Sequence, residues 1–380
     1  MKLEDYTYNL PENLIAAHPP KVRGASRLLA LNRKTGEISD SFYRNVADFF
    51  EKGDVLILND TKVIKARIFT QKESGVEREL VILERHGGDD DWHTHKVMYR
   101  GKIKAGDVLT VKDKSSEMFE NSSPKSETQA PAEVGERFSQ HGATDFSSNI
   151  KITVQEVLGD GLAIVSSPVD LREVCENFGT VPLPPYMRRD ATALDIERYQ
   201  TVFAEEKGSV AAPTASLNMT PEILETLRAK GVKICYLTLH VGLGTFMPIR
   251  VDNLEEHKMH QEYFEIPPKT CDEIQRAKNE GERVFALGTT VARTLEYAGK
   301  EILANSNGKL RGEADIFIYP GYEFKIVDGL MTNFHAPKST VLMLASAFAS
   351  WEHLSKAYAH ATEQGYHFLS YGDSMIIFEK

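Results

Sequence analysis

The sequence of 380 residues carries 45 Lys and Arg against 55 Asp and Glu, which gives a formal net charge of −10. This length predicts two or three domains, with cores large enough to need no disulfide or metal for stability. The apolar fraction of 41% and the charged fraction of 26% exclude a disordered or fibrous chain. The acidic balance alone argues against a protein that binds nucleic acid, because phosphate contacts need clustered Lys and Arg.

Cysteine usage and the lengths of the apolar runs indicate the compartment. Cys175, Cys235 and Cys271 lie far apart and form no CxxC pair, as expected in a reducing cytosol. The first residues include acids and lack an apolar core, so we expect no secretion signal. The longest strongly apolar run, residues 341–349, is too short to cross a bilayer. We therefore expect a soluble, cytoplasmic protein that contacts no membrane.

The first half of the chain predicts a buried strand followed by an all-β segment. Residues 55–58 form an apolar run that delivers Asn59, Asp60 and Thr61 to a loop. Short strand-like pieces follow at residues 79–83, 96–99, 108–111, 150–154 and 162–165, and no stretch between 68 and 178 has a convincing helical period. Short strands with frequent turns are typical of a small barrel or sandwich. Residues 113–148, rich in Ser, Glu, Pro, Ala and Gln, predict a flexible insertion without an assigned function.

After residue 180 the pattern alternates between helices and strands. Thr220 and Pro221 predict the start of a helix that ends at Gly231, and residues 232–241 predict a strand with a polar face. Residues 284–287 predict another strand, residues 288–290 open a helix, and residues 339–364 predict one long helix. The predicted fold class is mixed α+β. A discontinuous α/β body of residues 1–67 and 179–380 is interrupted by an inserted all-β, barrel-like domain of residues 68–178.

A glycine-rich segment follows the predicted strand 232–241. Gly242-Leu243-Gly244 resembles the start of a dinucleotide-binding fingerprint, but Met247 occupies the third glycine position and Pro248 prevents a helix there. The segment is either a turn that lets the backbone approach a ligand or a plain tight turn.

The segment 257–262 contains two histidines and a glutamate that could bind a metal. No HExxH pattern or cysteine ligand supports that interpretation for His257, His260 and Glu262, and extended chain follows directly. Acid–base use of His260 or Glu262 and a solvated surface segment are the two remaining interpretations. We expect no metal site.

The predicted helix start at Gly288, Thr289 and Thr290 could hold an anion. Free amides and hydroxyls at a helix N-terminus favour a carboxylate or phosphate, although ordinary capping by Thr explains the same residues. Basic residues also cluster locally, within segments 21–34, 62–72 and 96–104. Such patches on an acidic protein are compatible with a single polyanion site, and scattered surface lysines are the alternative.

Several whole segments resemble one family, the S-adenosylmethionine:tRNA ribosyltransferase-isomerases of queuosine biosynthesis. The resembling segments are YNLPE (8–12), SRLL (26–29), GDVLILNDT (53–61), VPLPPY (181–186), ERYQTVFA (197–204), GSVAAPTA (208–215), TLHVGLGTF (238–246), GTT (288–290), FIYPGY (317–322), TNFH (332–335) and SYGD (370–373). The resemblance runs from end to end except for residues 68–178, where it is only architectural.

The resemblance implies an unusual reaction. The ribosyl portion of S-adenosylmethionine is joined to 7-aminomethyl-7-deazaguanine at the tRNA wobble position and rearranges to an epoxycyclopentane. The products are epoxyqueuosine, adenine and methionine. The implied partner is a tRNA with a GUN anticodon carrying the modified base, and S-adenosylmethionine is a co-substrate, without a metal or further cofactor. The family fold implies an α/β body containing a β-barrel, with an inserted all-β domain, and we expect a monomer.

The implied chemistry needs a base for the proton next to the sulfonium, an acid for adenine departure, and donors for the methionine carboxylate. For acid–base catalysis the matching motifs offer His240, His260, Glu262, His335 and Asp373. For substrate binding they and their neighbours offer Arg27, Asn59, Asp60, Tyr199, Gln200, Ser209, Thr214, Asn218, Gly242, Gly244, Thr289, Thr290, Arg293, Tyr319, Asn333, Lys338 and Tyr371. The individual roles are open at this point.

Some residues depart from the family pattern. Where the family usually has Gly-Leu-His-Phe-Thr after Pro-Thr-Ala, this chain has Ser216, Leu217, Asn218, Met219 and Thr220. Asn218 cannot shuttle a proton at neutral pH as a histidine can. In addition, His367 stands where Arg is usual and Ser374 where Ala is usual. We expect retained activity, and the alternative is a diverged paralogue that binds RNA or has an altered substrate.

Overall fold

The computed structural model describes residues 1–83, 92–113, 150–242, 244, 249–304 and 308–379. Their strands are β1 (Arg27–Asn32), β2 (Ile38–Phe42), β3 (Val55–Asn59), β4 (Thr61–Val63), β5 (Arg67–Lys72), β6 (Glu77–Ile82), β7 (Thr94–Arg100), β8 (Val108–Val111), β9 (Lys151–Gly159), β10 (Leu162–Ser166), β11 (Glu206–Ser209), β12 (Lys233–Leu239), β13 (Glu262–Ile266), β14 (Val284–Leu287), β15 (Leu310–Ala314), β16 (Gly329–Asn333) and β17 (Ser374–Phe378). The helices are α1 (Leu171–Phe178), α2 (Ala193–Arg198), α3 (Pro221–Ala229), α4 (Pro268–Glu280), α5 (Thr289–Tyr297), α6 (Gly299–Leu303), α7 (Thr340–Ala349) and α8 (Trp351–Glu363).

Nine strands form one large mixed sheet in the order β15-β13-β12-β3-β14-β16-β17-β1-β2. The four central strands β12, β3, β14 and β16 run parallel, so their carboxyl ends meet at one edge of the sheet. Every residue of β3, β14 and β16 is buried, because helices and loops cover both faces, as parallel sheets require. This carboxyl edge presents the loops in which most of the sequence motifs lie.

Six further strands close into an antiparallel barrel in the order β10-β7-β6-β5-β8-β9. The inward residues, among them Leu80, Val97 and Ile152, form a core distinct from that of the large sheet. The chain enters and leaves the barrel at one place, where Arg67 and Thr180 exchange two backbone hydrogen bonds of 3.0 and 2.8 Å. The closed barrel therefore belongs to the segment 67–166. The expectation of a barrel within the body is wrong for the described residues, because the body strands form an open nine-stranded sheet with β15 and β2 at its ends and a separate pair, β4 and β11.

Most predicted elements are confirmed, including the strand at 55–58, the barrel strands, and the helices that begin after Thr220 and Gly288. The prediction that no helix lies within 68–178 is wrong, because α1 buries Leu171, Val174 and Cys175 and is capped by Asp170. The single helix predicted at 339–364 is also wrong. It is interrupted at Ser350, whose φ of +67° ends α7 and whose side chain caps α8.

The predicted flexible insertion at 113–148 lies outside the described residues except for Asp113. No helix within the described part of the chain is long and apolar enough to span a membrane.

Candidate active site

A cavity of about 550 Å³ lies at the carboxyl edge of β14 and β16. Six residues predicted for the site line it: Thr214, Thr289, Thr290, Asn333, His335 and Lys338. They come from three distant segments, around 214, 289–290 and 333–338, which meet because parallel strands end at the same edge. Crevices at this edge are where α/β sheets usually bind ligands. The remaining walls are mostly apolar, for example Leu3, Ile249 and Phe334.

His335 is the only one of the five predicted acid–base residues that lines the cavity among the residues described. Its Nε2 lies 2.9 Å from Thr332 Oγ1, and its backbone N–H donates to the Tyr358 hydroxyl at 2.9 Å. Its carbonyl accepts a hydrogen bond from the Tyr8 hydroxyl. Burial lowers the pKa of His335 to about 3, so the ring is neutral at physiological pH. It can accept a proton or a hydrogen bond there, but it cannot act as a charged acid.

The N-terminus of α5 forms another wall of the cavity. Gly288, at φ +101°, turns the chain from β14 into the helix, and Thr289 and Thr290 are its first residues. Amide groups in the first turn of a helix lack intrahelical acceptors and favour negative charge. The N-cap is Gly288 and no side chain caps the helix, so the alternative of ordinary Thr capping is wrong, and the arrangement supports the predicted anion site.

Arg293, one turn further along α5, is already occupied by an internal carboxylate. It forms an ion pair with Glu262, and both side chains are buried. Burial lowers the pKa of Arg293 to about 10, opposed by the nearby Asp315, so the guanidinium stays charged at pH 7. Arg293 lines a separate small cavity of about 20 Å³ that shares Thr289, Thr290 and Val341 with the large one.

Glu262 also fixes the glycine-rich segment. Its Oε1 accepts the Gly242 N–H at 3.1 Å and lies 3.3 Å from His260 Nε2. Gly244 packs so closely on His260 that an added Cβ would lie 2.5 Å from the ring. Glu262 and His260 therefore contact Gly242 and Gly244, which follow the cavity-lining Val241 in the sequence. Leu243 and residues 245–248, including Met247 and Pro248, lie outside the described residues.

His240 lies in a neighbouring polar cluster at the ends of β3 and β12. Its Nδ1 is 2.9 Å from Thr61 Oγ1. Asp60 accepts a hydrogen bond of 2.7 Å from Thr238, and burial raises its pKa to about 6. Asn59 bonds the backbone of Leu239, and Ser209 bonds that of Val241, so these two predicted binding residues join strands together. None of this cluster lines the large cavity.

Asp373 lies in a third network. It accepts the backbone N–H groups of Arg27 and His367 at 2.7 and 2.8 Å, and it does not line the cavity. The Arg27 guanidinium stacks on Tyr366 at 3.6 Å and donates to Gln364 O. In this structure Asp373 therefore shapes a turn, and its predicted catalytic role stays a prediction.

The departure Asn218 belongs to the same region. Its amide donates to Gly372 O at 3.0 Å and to Ser374 Oγ at 3.1 Å, and it accepts from Ser26 at 2.8 Å. Two departures from the family pattern, Asn218 and Ser374, thus contact each other directly. Asn218 is buried and does not line the cavity, and Ser216 is buried at the end of the short turn that begins at the cavity-lining Thr214.

The other predicted binding residues lie further away. Tyr371 donates to Asp195 at 2.8 Å and meets Tyr199 edge to face with ring centroids 5.9 Å apart. Gln200 bonds both backbone groups of Val63. Tyr319 packs against Phe317, with ring centroids 5.2 Å apart, and Phe317 lines the small cavity.

Sequence reasoning missed four hydroxyl groups of the cavity wall, one of which, on Ser339, caps α7. Tyr186 and Ser370 hydrogen bond to each other and both line the cavity, and Thr332 bonds the ring of His335. Tyr186, Ser370 and Thr332 lie inside matching motifs, so their signal was present. Selecting every polar residue of those motifs would have included them. Among the described residues, no group of three or more His, Cys, Asp and Glu side chains could hold a metal ion.

Comparison with known proteins agrees with the motifs. Residues 3–377 match the family model described as "Queuosine biosynthesis protein". The chain is 48% identical to the S-adenosylmethionine:tRNA ribosyltransferase-isomerase of Chlorobium phaeobacteroides, over 99% of this chain and 100% of that protein. It is 43% identical to the protein of the same name from Francisella tularensis subsp. tularensis, over 100% of both chains.

A solved structure gives the same result. The crystal structure of S-adenosylmethionine tRNA ribosyltransferase from Thermotoga maritima matches with a TM-score of 0.51 and 30% identity, over 98% of this chain and 100% of that one. The end-to-end match covers the motifs that form the cavity. The chain therefore belongs to the queuosine biosynthesis protein family.

Proposed function

We propose that this protein is an S-adenosylmethionine:tRNA ribosyltransferase-isomerase. It transfers the ribosyl moiety of S-adenosylmethionine to 7-aminomethyl-7-deazaguanine at the tRNA wobble position and isomerises it, which gives epoxyqueuosine-tRNA, adenine and methionine. The observation that carries this proposal is the full-length identity of 43–48% to proteins named for this activity. The alternative of a paralogue with an altered substrate loses its main support, because Asn218 does not line the cavity and its side chain makes three internal hydrogen bonds.

The cavity is a suitable site for S-adenosylmethionine. Its volume of about 550 Å³ lies within the usual range for small-molecule sites. Lys338 is the one Lys or Arg among the described lining residues, which include no Asp or Glu. Lys338 and the N-terminus of α5 are therefore the groups suited to the methionine carboxylate, because Arg293 is neutralised by Glu262. Tyr186 is the aromatic residue of the described cavity wall suited to the adenine or the sulfonium, because the Phe334 ring is fully buried against Tyr358, Tyr366 and Phe368.

His335 is suited to remove the proton next to the sulfonium. If its Nε2–H donates to Thr332 Oγ1, the lone pair of Nδ1 remains as the base. The low pKa keeps this lone pair unprotonated throughout the physiological range, but it also makes the ring a weak base, so the assignment rests on the position of His335 in the cavity wall. The other four predicted acid–base residues are retained as candidates that act from positions behind the cavity wall.

The tRNA partner carries a GUN anticodon with 7-aminomethyl-7-deazaguanine, and the protein acts as a cytoplasmic monomer. The proposed reaction uses S-adenosylmethionine as co-substrate and needs no metal or further cofactor. We also propose that residues 68–178 form an inserted domain and that 1–67 with 179–380 form the catalytic body. The paired backbone bonds of Arg67 and Thr180 and the separate barrel core support this division.

The test is adenine release from S-adenosylmethionine in the presence of two tRNAs that differ only in the wobble base. Release with 7-aminomethyl-7-deazaguanine and none with guanine is expected. In the His335→Asn variant, kcat should fall about 10²–10⁴-fold while the KM for S-adenosylmethionine changes little, because a proton-transfer group contributes mainly in the transition state. A wild-type protein that releases no adenine with either tRNA would contradict the proposal.

A further inference from the structure

The first eight residues form a strap that crosses the rim of the large cavity. Leu3 N–H donates to Asp252 O at 2.9 Å, and Lys338 N–H donates to Tyr6 O at 3.2 Å. The Tyr8 hydroxyl donates to the carbonyl of His335. The strap thus joins two loops on either side of the cavity, and the side chain of Leu3 forms part of the cavity wall.

Glu4, an acidic residue of this strap, pairs with Lys338, the cationic residue among the described residues of the cavity wall. Glu4 Oε1 accepts a hydrogen bond of 2.7 Å from Lys338 Nζ. The Glu4 side chain is 71% exposed and that of Lys338 is 39% exposed, so the pair lies at the solvent boundary. An ion pair in this environment is worth little, which makes it easy to exchange for another carboxylate.

We propose that Glu4 is an internal competitor of the substrate carboxylate for Lys338. This inference rests on the proposed function, in which Lys338 binds the methionine carboxylate of S-adenosylmethionine. Binding exchanges one carboxylate for another on the same ammonium group, and Glu4 turns into water. The backbone of the strap stays in place, because Leu3, Tyr6 and Tyr8 hold it independently of Glu4.

The exchange has two consequences for the reaction. A ligand without a carboxylate leaves the Glu4–Lys338 pair intact and gains nothing from Lys338, so the site discriminates against it. The product methionine, once cleaved from the rest of the substrate, meets Glu4 as a competitor and is displaced. Glu4 thereby weakens substrate binding slightly and favours product release.

The experiment compares two ligands that differ in the carboxylate. The KM for S-adenosylmethionine and the inhibition constant of decarboxylated S-adenosylmethionine are measured by adenine release for wild type, Glu4→Gln and Glu12→Gln. Glu12 is the matched control, because it lies four residues after the strap, forms an exposed pair of 3.2 Å with Arg188 and does not line the cavity. In Glu4→Gln the KM for S-adenosylmethionine should fall about two- to fivefold, the range expected for an exposed pair. The constant for the decarboxylated ligand should not change, and Glu12→Gln should alter neither.

Repeating the Glu4→Gln comparison in a Lys338→Gln variant tests whether the effect passes through Lys338. In Lys338→Gln, which loses the shared cation, adding Glu4→Gln should have no further effect on the KM. A higher KM for S-adenosylmethionine in Glu4→Gln would overturn the inference, because the ammonium would then hold both carboxylates together. An equal change for both ligands would also overturn it, because the effect of Glu4 would then not depend on the ligand carboxylate. Absence of adenine release by wild type would instead overturn the proposed function.

Discussion

The imidazole of His335 is held neutral by burial, and this affects stability as well as chemistry. Its pKa is about 3 in the folded protein against an ordinary value of 6.5. Between these values the unfolded chain binds a proton that the folded protein does not bind. The contribution of His335 to the free energy of unfolding is therefore complete above pH 6.5 and is lost as the pH falls towards 3.

We expect the stability difference between wild type and His335→Asn to depend on pH. From pH 7 to pH 5, wild type should lose about 2 kcal/mol relative to the variant, because Asn does not titrate. Urea unfolding at both pH values measures this, and using the difference cancels the contribution of groups shared by both proteins, such as Asp60. Parallel pH dependences of the two proteins would mean that His335 is not desolvated as described.

Asn218 illustrates what a sequence pattern can and cannot predict at this scale. The replacement of a usual His by Asn was visible, and it suggested altered chemistry. Its meaning depends on partners that lie 154 and 156 residues away, Gly372 and Ser374, and on its distance from the cavity. Residue types and motifs predicted six lining residues, whereas only the packed structure separates these from Asp373 or Tyr199, which belong to similar motifs.

Elements with a strong local signal were predictable and those with a weak one were not. The strand β3 is an uninterrupted apolar run, and α3 begins with a Thr-Pro pair that caps it. The helix α1 has only eight residues, so its apolar spacing at Leu171, Val174 and Cys175 is too short to stand out among strands. The break between α7 and α8 has no Gly or Pro to mark it, because Ser350 itself adopts a positive φ.

Ser350 gives a prediction for this break. Its φ of +67° with ψ of 145° is a conformation that favours glycine, and it costs about 1–3 kcal/mol in other residues. Ser350→Gly should therefore stabilise the protein by about 1 kcal/mol, since Gly is a tolerable N-cap. Ser350→Ala should destabilise it, because it loses the cap on His353 N and keeps the strained φ. Chemical denaturation of both variants checks this, and a less stable Ser350→Gly variant would contradict it.

Basic segments of the sequence do not remain purely basic in the folded protein, because acids from other segments pair with some of their Lys and Arg residues. The predicted basic segments include Arg67, Lys72 and Lys34, which pair in the structure with Glu79, Asp107 and Glu379. Acids elsewhere in the sequence thus neutralise part of two of the three basic segments, 21–34 and 62–72. The overall charge of −10 is consistent with weak sequence-independent RNA binding and with recognition concentrated at one modified base.

The division of the molecule into a body and an inserted domain predicts that the two parts unfold separately. Because the barrel and the large sheet have separate cores and are joined where Arg67 meets Thr180, they should open as separate units. Hydrogen exchange of the full chain in mild denaturant should show one denaturant dependence for β5–β10 and another for β3, β12, β14 and β16. One common dependence would mean that the barrel is an integral part of the body.

The central claim is tested most directly by nucleoside mass spectrometry of the tRNA product. Purified protein is incubated with S-adenosylmethionine and tRNA that carries 7-aminomethyl-7-deazaguanine in a GUN anticodon, and the tRNA is then digested to nucleosides. We predict an epoxyqueuosine nucleoside, with adenine and methionine released in equal amounts, and a greatly reduced yield with His335→Asn. A tRNA that returns with its 7-aminomethyl-7-deazaguanine unchanged, together with no free adenine, would contradict the account.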